Sequence, residues 1–313
     1  MFNTPILLIT FNRPDHVRQV LMEILKQEPQ DLYICQDGAR DGNEKDRIKC
    51  QEVRNVINEL TSAYADIHLE FTLHTLYQNK NLGCGPGPVA GITWFFEHVE
   101  MGIIIEDDCI LAESGFQFYE ELLNRYKDNE YVSAITATNL HLRWRSNNAP
   151  YLFSTVGAGT LGCWASWARA WNKFDYFIMA WDDETEREML RVNFDREEYY
   201  EYYSQIFDSC KKEQTHMWDY QWFFAKMLYG TMTIVASKNM VSNIGFDVEG
   251  THTQTSSRLA NFPLYKTEFP MKNVSVKRDM LYDWVVFQRY YNPKKKSIFR
   301  RVFLKVLDCI YRR

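Results

Sequence analysis

The 313-residue chain has 46% hydrophobic and 25% charged side chains, an ordinary globular balance with enough material for a sizeable core. Its net charge of −5 excludes a nucleic-acid surface over the body, although residues 294–313 gather eight Lys/Arg against one Asp. No apolar run approaches the roughly 18 residues of a membrane span. The seven cysteines are odd in number and form no C-x-x-C, so neither a disulfide framework nor a zinc site is expected. With no basic segment ahead of its short N-terminal apolar run, the chain is expected in the cytoplasm.

In chain order, Pro5 to Thr10 predicts a buried strand. A helix follows from Pro14, with Val17, Val20, Leu21, Ile24 and Leu25 on one face. Leu32 to Gln36 is a second strand, ended by Asp37-Gly38, and Val53, Val56, Ile57 and Leu60 mark a second helix. Leu69, Phe71 and Leu73 alternate as in a strand. After the loop Asn79 to Pro88 comes a helix through Trp94, Phe95 and His98, then the strand Gly102 to Ile105. A helix over Ser114 to Asn124 and a strand over Val132 to Thr136 follow. This alternation predicts an α/β fold with a mainly parallel central sheet and helices on both faces. From Asn139 the alternation weakens into aromatic-rich and polar stretches, read as the second half (113–255) of a single domain whose first half is 1–112, with 256–313 as a C-terminal extension.

Ligands of such sheets bind at the carboxyl ends of the strands. Three polar clusters fall there: Thr10 to Arg13, Gln36 to Asp41, and Glu106 to Asp108. Three adjacent acids after a run of isoleucines repel one another unless positive charge lies between them. Mg²⁺ or Mn²⁺ binds through one or two such carboxylates plus phosphate oxygens. The alternative is a helix N-terminus, which also favours acids. Gly85-Pro86-Gly87-Pro88-Val89-Ala90 fits G-x-G-x-x-A formally, with Glu106 21 residues beyond Gly85. Pro86 and Pro88, however, lack the N–H groups with which that loop holds pyrophosphate.

The segments PILLITFNRPDHVRQVL (5–21), LYICQDGARDG (32–42), NLGCGPGPVAGITWFFE (81–97), GIIIEDDCIL (102–111), GCWASWARAW (162–171), WDYQWFF (218–224) and VSNIGFDVEGTHT (241–253) occur in one order along the chain. Together they resemble bacterial GT-A fold glycosyltransferases linked to surface polysaccharides, and more remotely the N-acetylglucosaminyltransferase I type. The resemblance implies a metal-dependent, inverting transfer from a nucleoside-diphosphate sugar, usually a UDP-sugar, to a hydroxyl of a glycan or lipid-linked acceptor. It places Thr10, Asn12 and Arg13 along the nucleotide, Asp37 on the base, and Asn81 to Gly83 near the donor sugar. Glu106 and Asp107 would hold ribose and metal-bound water, and Asp108 the Mn²⁺ or Mg²⁺ itself. Asp219, set among Trp218, Tyr220, Trp222 and Phe223, would be the general base, with Asp182, Asp183 and Glu249 as the other acids to consider. His252 could be a second metal ligand or a surface or phosphate-contacting residue. The competing readings are a nucleotidyltransferase on a similar sheet and a non-catalytic nucleotide-sugar-binding protein.

The basic C-terminal stretch has its own pattern. Phe299, Val302, Phe303, Val306 and Ile310 recur every three or four residues, with Arg301, Lys305, Asp308 and Arg312 opposite. Such a helix either lies on the anionic inner face of the cytoplasmic membrane or packs on the protein's own core.

Overall fold

The computed structural model describes residues 1–144, 149–156, 162–213, 217–245 and 260–291, together with Leu304 and Tyr311. The first apolar run forms β1 (Ile6–Thr10), buried along its whole length. Pro14 opens α1 (Pro14–Leu25), where its missing N–H costs nothing, and Asp15 sits at the positive end of the helix dipole. β2 (Asp31–Gln36) leads to α2 (Glu44–Ala65), whose start is capped by the Asn43 side chain accepting from the Asp46 N–H. Next come β3 (Thr72–Tyr77), α3 (Pro86–His98) and β4 (Met101–Glu106). The second half contains β5 (Cys109–Leu111), α4 (Glu113–Tyr126), β6 (Val132–Thr136), β7 (Tyr151–Ser154), β8 (Cys163–Trp167), α5 (Ala168–Trp171) and α6 (Glu184–Val192). It continues with α7 (Glu197–Glu213), α8 (Asp219–Leu228), β9 (Met232–Ala236), β10 (Val241–Asn243) and α9 (Met280–Val286).

Eight strands form one sheet in the order β3-β2-β1-β4-β8-β6-β9-β7, and β10 pairs with β5 in a separate ribbon. The half made of β3, β2, β1 and β4 is parallel throughout, as the alternation predicts. Beyond β4 the sheet is mixed, because β8 runs antiparallel to both β4 and β6. One expected strand is displaced: Leu69 is 92% exposed, and the strand begins at Thr72, opposite Asp31. β3 is an edge strand, so its placement follows its one partner rather than its own apolar alternation.

Both faces of the sheet are covered by helices. Ile6, Leu8, Leu32, Ile34, Ile103 and Ile105 point into a core with α1, α2 and α4. Leu7, Ile9, Tyr33, Cys35 and Ile104 point into another with α3, α5 and α8. Each fully buried Ile or Leu contributes about 1.5–3 kcal/mol. A strand covered on both sides must be apolar at every position, which is why β4 reads as an uninterrupted isoleucine run.

This topology places the site. From β1 the chain steps outward through β2 to β3, then returns to lay β4 on the other side of β1. The order of strands reverses at β1, and a crevice opens between the loops that leave β1 and β4. In register, Ile9 lies beside Glu106, so Phe11 to Arg13 and Asp107-Asp108 meet at one edge.

The chain after β10 returns over β7 and β9. Asp283 of α9 is fully buried and accepts hydrogen bonds from the Ser154 hydroxyl and from the Thr155 N–H (3.1 Å) and hydroxyl (3.0 Å). Arg278 donates to the Thr155 hydroxyl at 3.0 Å and pairs with Asp195 at 3.6 Å. Farther on, Leu304 is buried against Leu140, Trp144 and Tyr282, and the Tyr311 ring stacks on Trp144 at 4.7 Å. Those two residues of the basic stretch therefore rest on the protein body. The apolar face expected from Phe299, Val302, Phe303, Val306 and Ile310 lies outside the described residues, as do Lys294 to Lys296. No helix among the described residues is long and apolar enough to cross a membrane.

Burial pushes Asp283 up to about 6, against the hydrogen bonds from Ser154 and Thr155 that favour its ionised form. A carboxyl raised in the folded state contributes stability that is complete below its unfolded value and lost as pH rises through the folded value. Between about pH 4 and pH 7, wild type should therefore lose roughly 2–3 kcal/mol of unfolding free energy relative to Asp283→Asn, read by urea denaturation. A difference that stays constant over that range would show that Asp283 keeps one protonation state.

Candidate active site

The acid turn is built by hydrophobic anchoring below and close backbone contacts above. Ile103 to Ile105 fix β4, and Glu106, its last residue, donates its N–H to the Gly162 carbonyl at 2.7 Å. Gly162 has φ +65°, and a Cβ there would lie 2.4 Å from Cys109 Sγ. Only glycine lets the start of β8 pass so close to the turn. From the other side the β10 segment lies on Asp108. Ile244 N–H donates to the Asp108 carbonyl at 2.8 Å, Asn243 Nδ2 donates to Asp108 Oδ1 at 3.1 Å, and a Cβ on Gly245 would fall 2.1 Å from Asp108 Oδ2.

Arg13 supplies positive charge to this turn. Its Nη1 donates to Asp108 Oδ2 at 3.0 Å and lies 3.9 Å from Asp107 Oδ1. The Phe11 N–H donates to Asp107 Oδ2 at 3.2 Å. One arginine does not neutralise three carboxyls. Burial, followed by the charges of Asp108, Asp107 and Asp219, pushes Glu106 up to about 8, with Arg13 opposing. Burial and Asp108 push Asp107 up to about 7. The cluster is thus short of positive charge as it stands.

The remaining β1 residues anchor the crevice from below. The Thr10 hydroxyl donates to the Cys35 carbonyl at 3.1 Å, and Asn12 Nδ2 donates to Asp46 Oδ1 at 2.8 Å. Asp46, buried at the start of α2, also binds Arg40. Gln36 donates to the carbonyls of Phe11 (3.0 Å) and Cys50 (2.9 Å). These contacts set the height of the Phe11–Arg13 link over the sheet.

Asp37, expected on the nucleobase, also holds a loop. Its Oδ1 accepts from the N–H groups of Gly38 (2.9 Å) and Leu82 (2.8 Å). Its Oδ2 accepts from Asn81 Nδ2 (2.9 Å) and the Gly83 N–H (3.0 Å). A carboxylate has about four acceptor sites, and all are in use. Asn81 also donates to the Gly38 carbonyl at 2.9 Å, and Gly83 turns the chain with φ +87°. The Asn81–Gly83 segment is thereby pinned to the end of β2, at the mouth of the crevice.

Asp219 is the first residue of α8 and comes from the second half of the chain. Its charge is near enough to help raise Glu106 and, after burial, the Cys84 thiol. The other acids considered from sequence have separate tasks. Asp182 pairs with Lys211 at 2.6 Å, and Asp183 caps α6 through the N–H groups of Thr185 and Glu186. Glu249 and His252 lie outside the described residues.

Arg13, Asp107 and Asp108 thus meet at the carboxyl edge of the sheet beside Glu106, while Thr10, Asn12, Asp37, Asn81 and Gly83 hold the adjoining links and loop, and Asp219 is near enough for its charge to act on Glu106. Sequence reasoning gave no role to Gly162, Asn243 or Gly245. All three stand inside segments that carried the resemblance, but their contact with the acid turn depends on strand pairing across more than 50 residues. Among the described residues no three His, Cys, Asp or Glu side chains close a metal cage. Asp107 and Asp108 carry hard carboxylate oxygens of the kind that Mg²⁺ and Mn²⁺ prefer.

No family model and no curated protein matches the sequence. Among solved structures the chain is similar to HddC from Yersinia pseudotuberculosis, with 9% identity over 54% of this chain and 78% of that one, at a TM-score of 0.30. It is also similar to mouse xyloside xylosyltransferase 1 in its apo form, with 12% identity over 72% and 81% of the two chains and a TM-score of 0.32. A UDP-glucose pyrophosphorylase complexed with UDP-glucose shows 9% identity over 79% and 95%, at 0.39. Likenesses this distant identify no function, which must be read from the site.

The loop clamp is open to test. Asp37→Asn replaces an acceptor oxygen with an N–H₂ group that faces donors. Stability should fall by about 1–3 kcal/mol, the usual cost of unsatisfied buried donors. Hydrogen exchange at the Leu82 and Gly83 amides should accelerate more than in the sheet. Unchanged exchange at these two amides would show that another contact anchors the loop.

Proposed function

We propose that the chain is a metal-dependent glycosyltransferase of the GT-A type, moving a sugar from a nucleoside-diphosphate donor, preferentially a UDP-sugar, onto an acceptor hydroxyl. The observation that carries this reading is the convergence of Asp107, Asp108 and Arg13 where the strand order reverses, with Glu106 beside them and the charge of Asp219 acting on Glu106. A crowd of carboxyls short of positive charge, next to an arginine, suits a diphosphate that arrives with a divalent cation.

The metal ligands fit. Arg13 already places one positive charge against both Asp107 and Asp108, so that position favours a cation. Asp108 would bind Mn²⁺ or Mg²⁺ directly, with Asp107 behind it. When bound, the ion would neutralise charge on the diphosphate and so improve it as a leaving group. The chain's own residues do the rest. Arg13 holds the phosphates, and the loop clamped by Asp37 lies along the donor sugar. Asp219 takes the proton from the acceptor hydroxyl as its oxygen attacks the anomeric carbon, and the nucleoside diphosphate leaves. A single displacement inverts that carbon. Glycan or lipid-linked acceptors of cell-surface polysaccharide synthesis are the class that the sequence resemblance suggests.

A nucleotidyltransferase would need a glycine-rich basic loop after the first strand. Here only Phe11, Asn12 and Arg13 separate β1 from α1, and none is glycine. A pure binding protein would have no use for a further carboxylate brought near the acid turn by a separate helix.

Two substitutions separate the roles. Asp108→Ala should abolish transfer and weaken binding of a nucleoside diphosphate in Mn²⁺ by calorimetry, with the fold retained. Wild-type binding and turnover that persist in EDTA would exclude the metal. Asp219→Asn keeps the shape but cannot accept a proton, so kcat should fall about 10²–10⁴-fold while donor affinity stays near wild type. Retention of most turnover would move the base elsewhere.

A further inference from the structure

Both oxygens of Asp108 are engaged, by partners of different kinds. Asn243 Nδ2 donates to Oδ1 at 3.1 Å, and Arg13 Nη1 donates to Oδ2 at 3.0 Å. The Asn243 side chain is itself fixed, because its Oδ1 accepts from the Gly245 N–H at 2.8 Å. Its backbone is fixed as well: Asn243 pairs with Cys109 in the β5–β10 ribbon, and its carbonyl accepts from the Asn261 N–H at 3.0 Å. Arg13 is held differently. It stands just ahead of α1, where its carbonyl accepts from the Val17 N–H at 3.0 Å. A long side chain with many rotamers carries its guanidinium to the acid turn. Arg13 is therefore the partner that can leave Asp108 without disturbing a strand pairing.

The charges differ too. Asn243 is neutral. The Arg13 guanidinium lies 3.0 Å from Asp108 Oδ2 and 3.9 Å from Asp107 Oδ1, and the side chains of Arg13, Asp107 and Asp108 are 14%, 12% and 15% exposed. A divalent cation taken up by these carboxylates would meet a charge of its own sign in a place where solvent screens weakly. A diphosphate reverses the balance. Its oxygens accept from the guanidinium fork, draw Arg13 away and leave the carboxylate to the cation.

We propose that Arg13 is a built-in competitor of the cation. It occupies Asp108 in the free protein, keeps the affinity for the bare metal low, and releases Asp108 when a nucleoside diphosphate takes up the guanidinium. Metal and nucleotide then bind as a pair, and by linkage each tightens the other by the same factor. This inference rests on the metal-dependent reading of the site and adds a direction to it: loss of Arg13 helps the bare cation and harms the nucleotide. An arginine that only tied the acid turn together would do the opposite to the cation, because its loss would loosen the carboxylates.

The test uses the full-length protein and Mn²⁺ alone, read by loss of the electron paramagnetic resonance signal of the free ion. Without nucleotide, Arg13→Gln should bind Mn²⁺ about tenfold or more tightly than wild type, since a like charge at close range has been removed. The same variant should bind UDP with Mn²⁺ more weakly than wild type. Arg13→Lys restores the charge and should bring the affinity for Mn²⁺ alone back toward wild type. A crystal structure of wild type with UDP and Mg²⁺ should show the Arg13 guanidinium on phosphate oxygens and out of hydrogen-bond reach of Asp108, a readout that needs no variant. Unchanged or weaker binding of Mn²⁺ alone by folded Arg13→Gln, or an Arg13–Asp108 hydrogen bond that persists in that complex, would overturn the competitor role and leave the metal-dependent reading standing. Wild type that binds no Mn²⁺ even with saturating UDP would overturn that reading, and this inference with it.

Discussion

The organising constraint is electrostatic: three consecutive carboxyls at the end of a buried strand with one arginine among them. Burial and like charges raise the affinity of Glu106 and Asp107 for protons, and Arg13 opposes this at both without cancelling it. Such an arrangement lowers stability unless a ligand completes it. Its retention at the point where the strand order reverses is intelligible if the ligand brings positive charge and takes up the arginine. The apolar β4 strand absorbs the cost by anchoring the turn from below on both faces of the sheet.

Rigidity around the turn comes from distant parts of the chain. Gly162 and Gly245 allow backbone to approach Cys109 and Asp108 more closely than any side chain would permit. Asn243 fixes one oxygen of Asp108 and leaves the other to Arg13. Asp37 fixes the facing loop through four donors. Each functional group is thus held by hydrogen bonds that do not consume the crevice itself, apart from the Arg13–Asp108 pair. That pair must open if Asp108 is to take a cation.

The helix α8 joins the two halves of the molecule. Its first residue, Asp219, lies near enough to act on Glu106, its middle packs Trp222 against Trp164 and Trp171, and Lys226 is buried two turns farther on. The aromatic packing fixes the rotation of the helix. The buried amine is a cost within this arrangement, offset in part by the Thr233 hydroxyl.

Much of this was legible in the sequence, for identifiable reasons. The alternation of apolar strands and amphipathic helices over the first 112 residues determined a parallel sheet, and the helix-facing residues Val17, Val20, Leu21, Ile24 and Leu25 are all buried. Short-range patterns sufficed because each βα unit closes locally. The acid triplet and Arg13 were visible as candidates because parallel topology sends the ends of strands to one edge. Sequence alone did not determine the antiparallel insertion of β8, the pairing of β5 with β10, or the displacement of β3. These depend on partners far along the chain, and on an edge strand the partner overrides the local pattern. Nor could it reveal that Asp37 spends its lone pairs on a loop 45 residues away, or that Lys226 is buried. The use of a polar atom is decided by the groups that surround it in space, and only the tertiary structure supplies them.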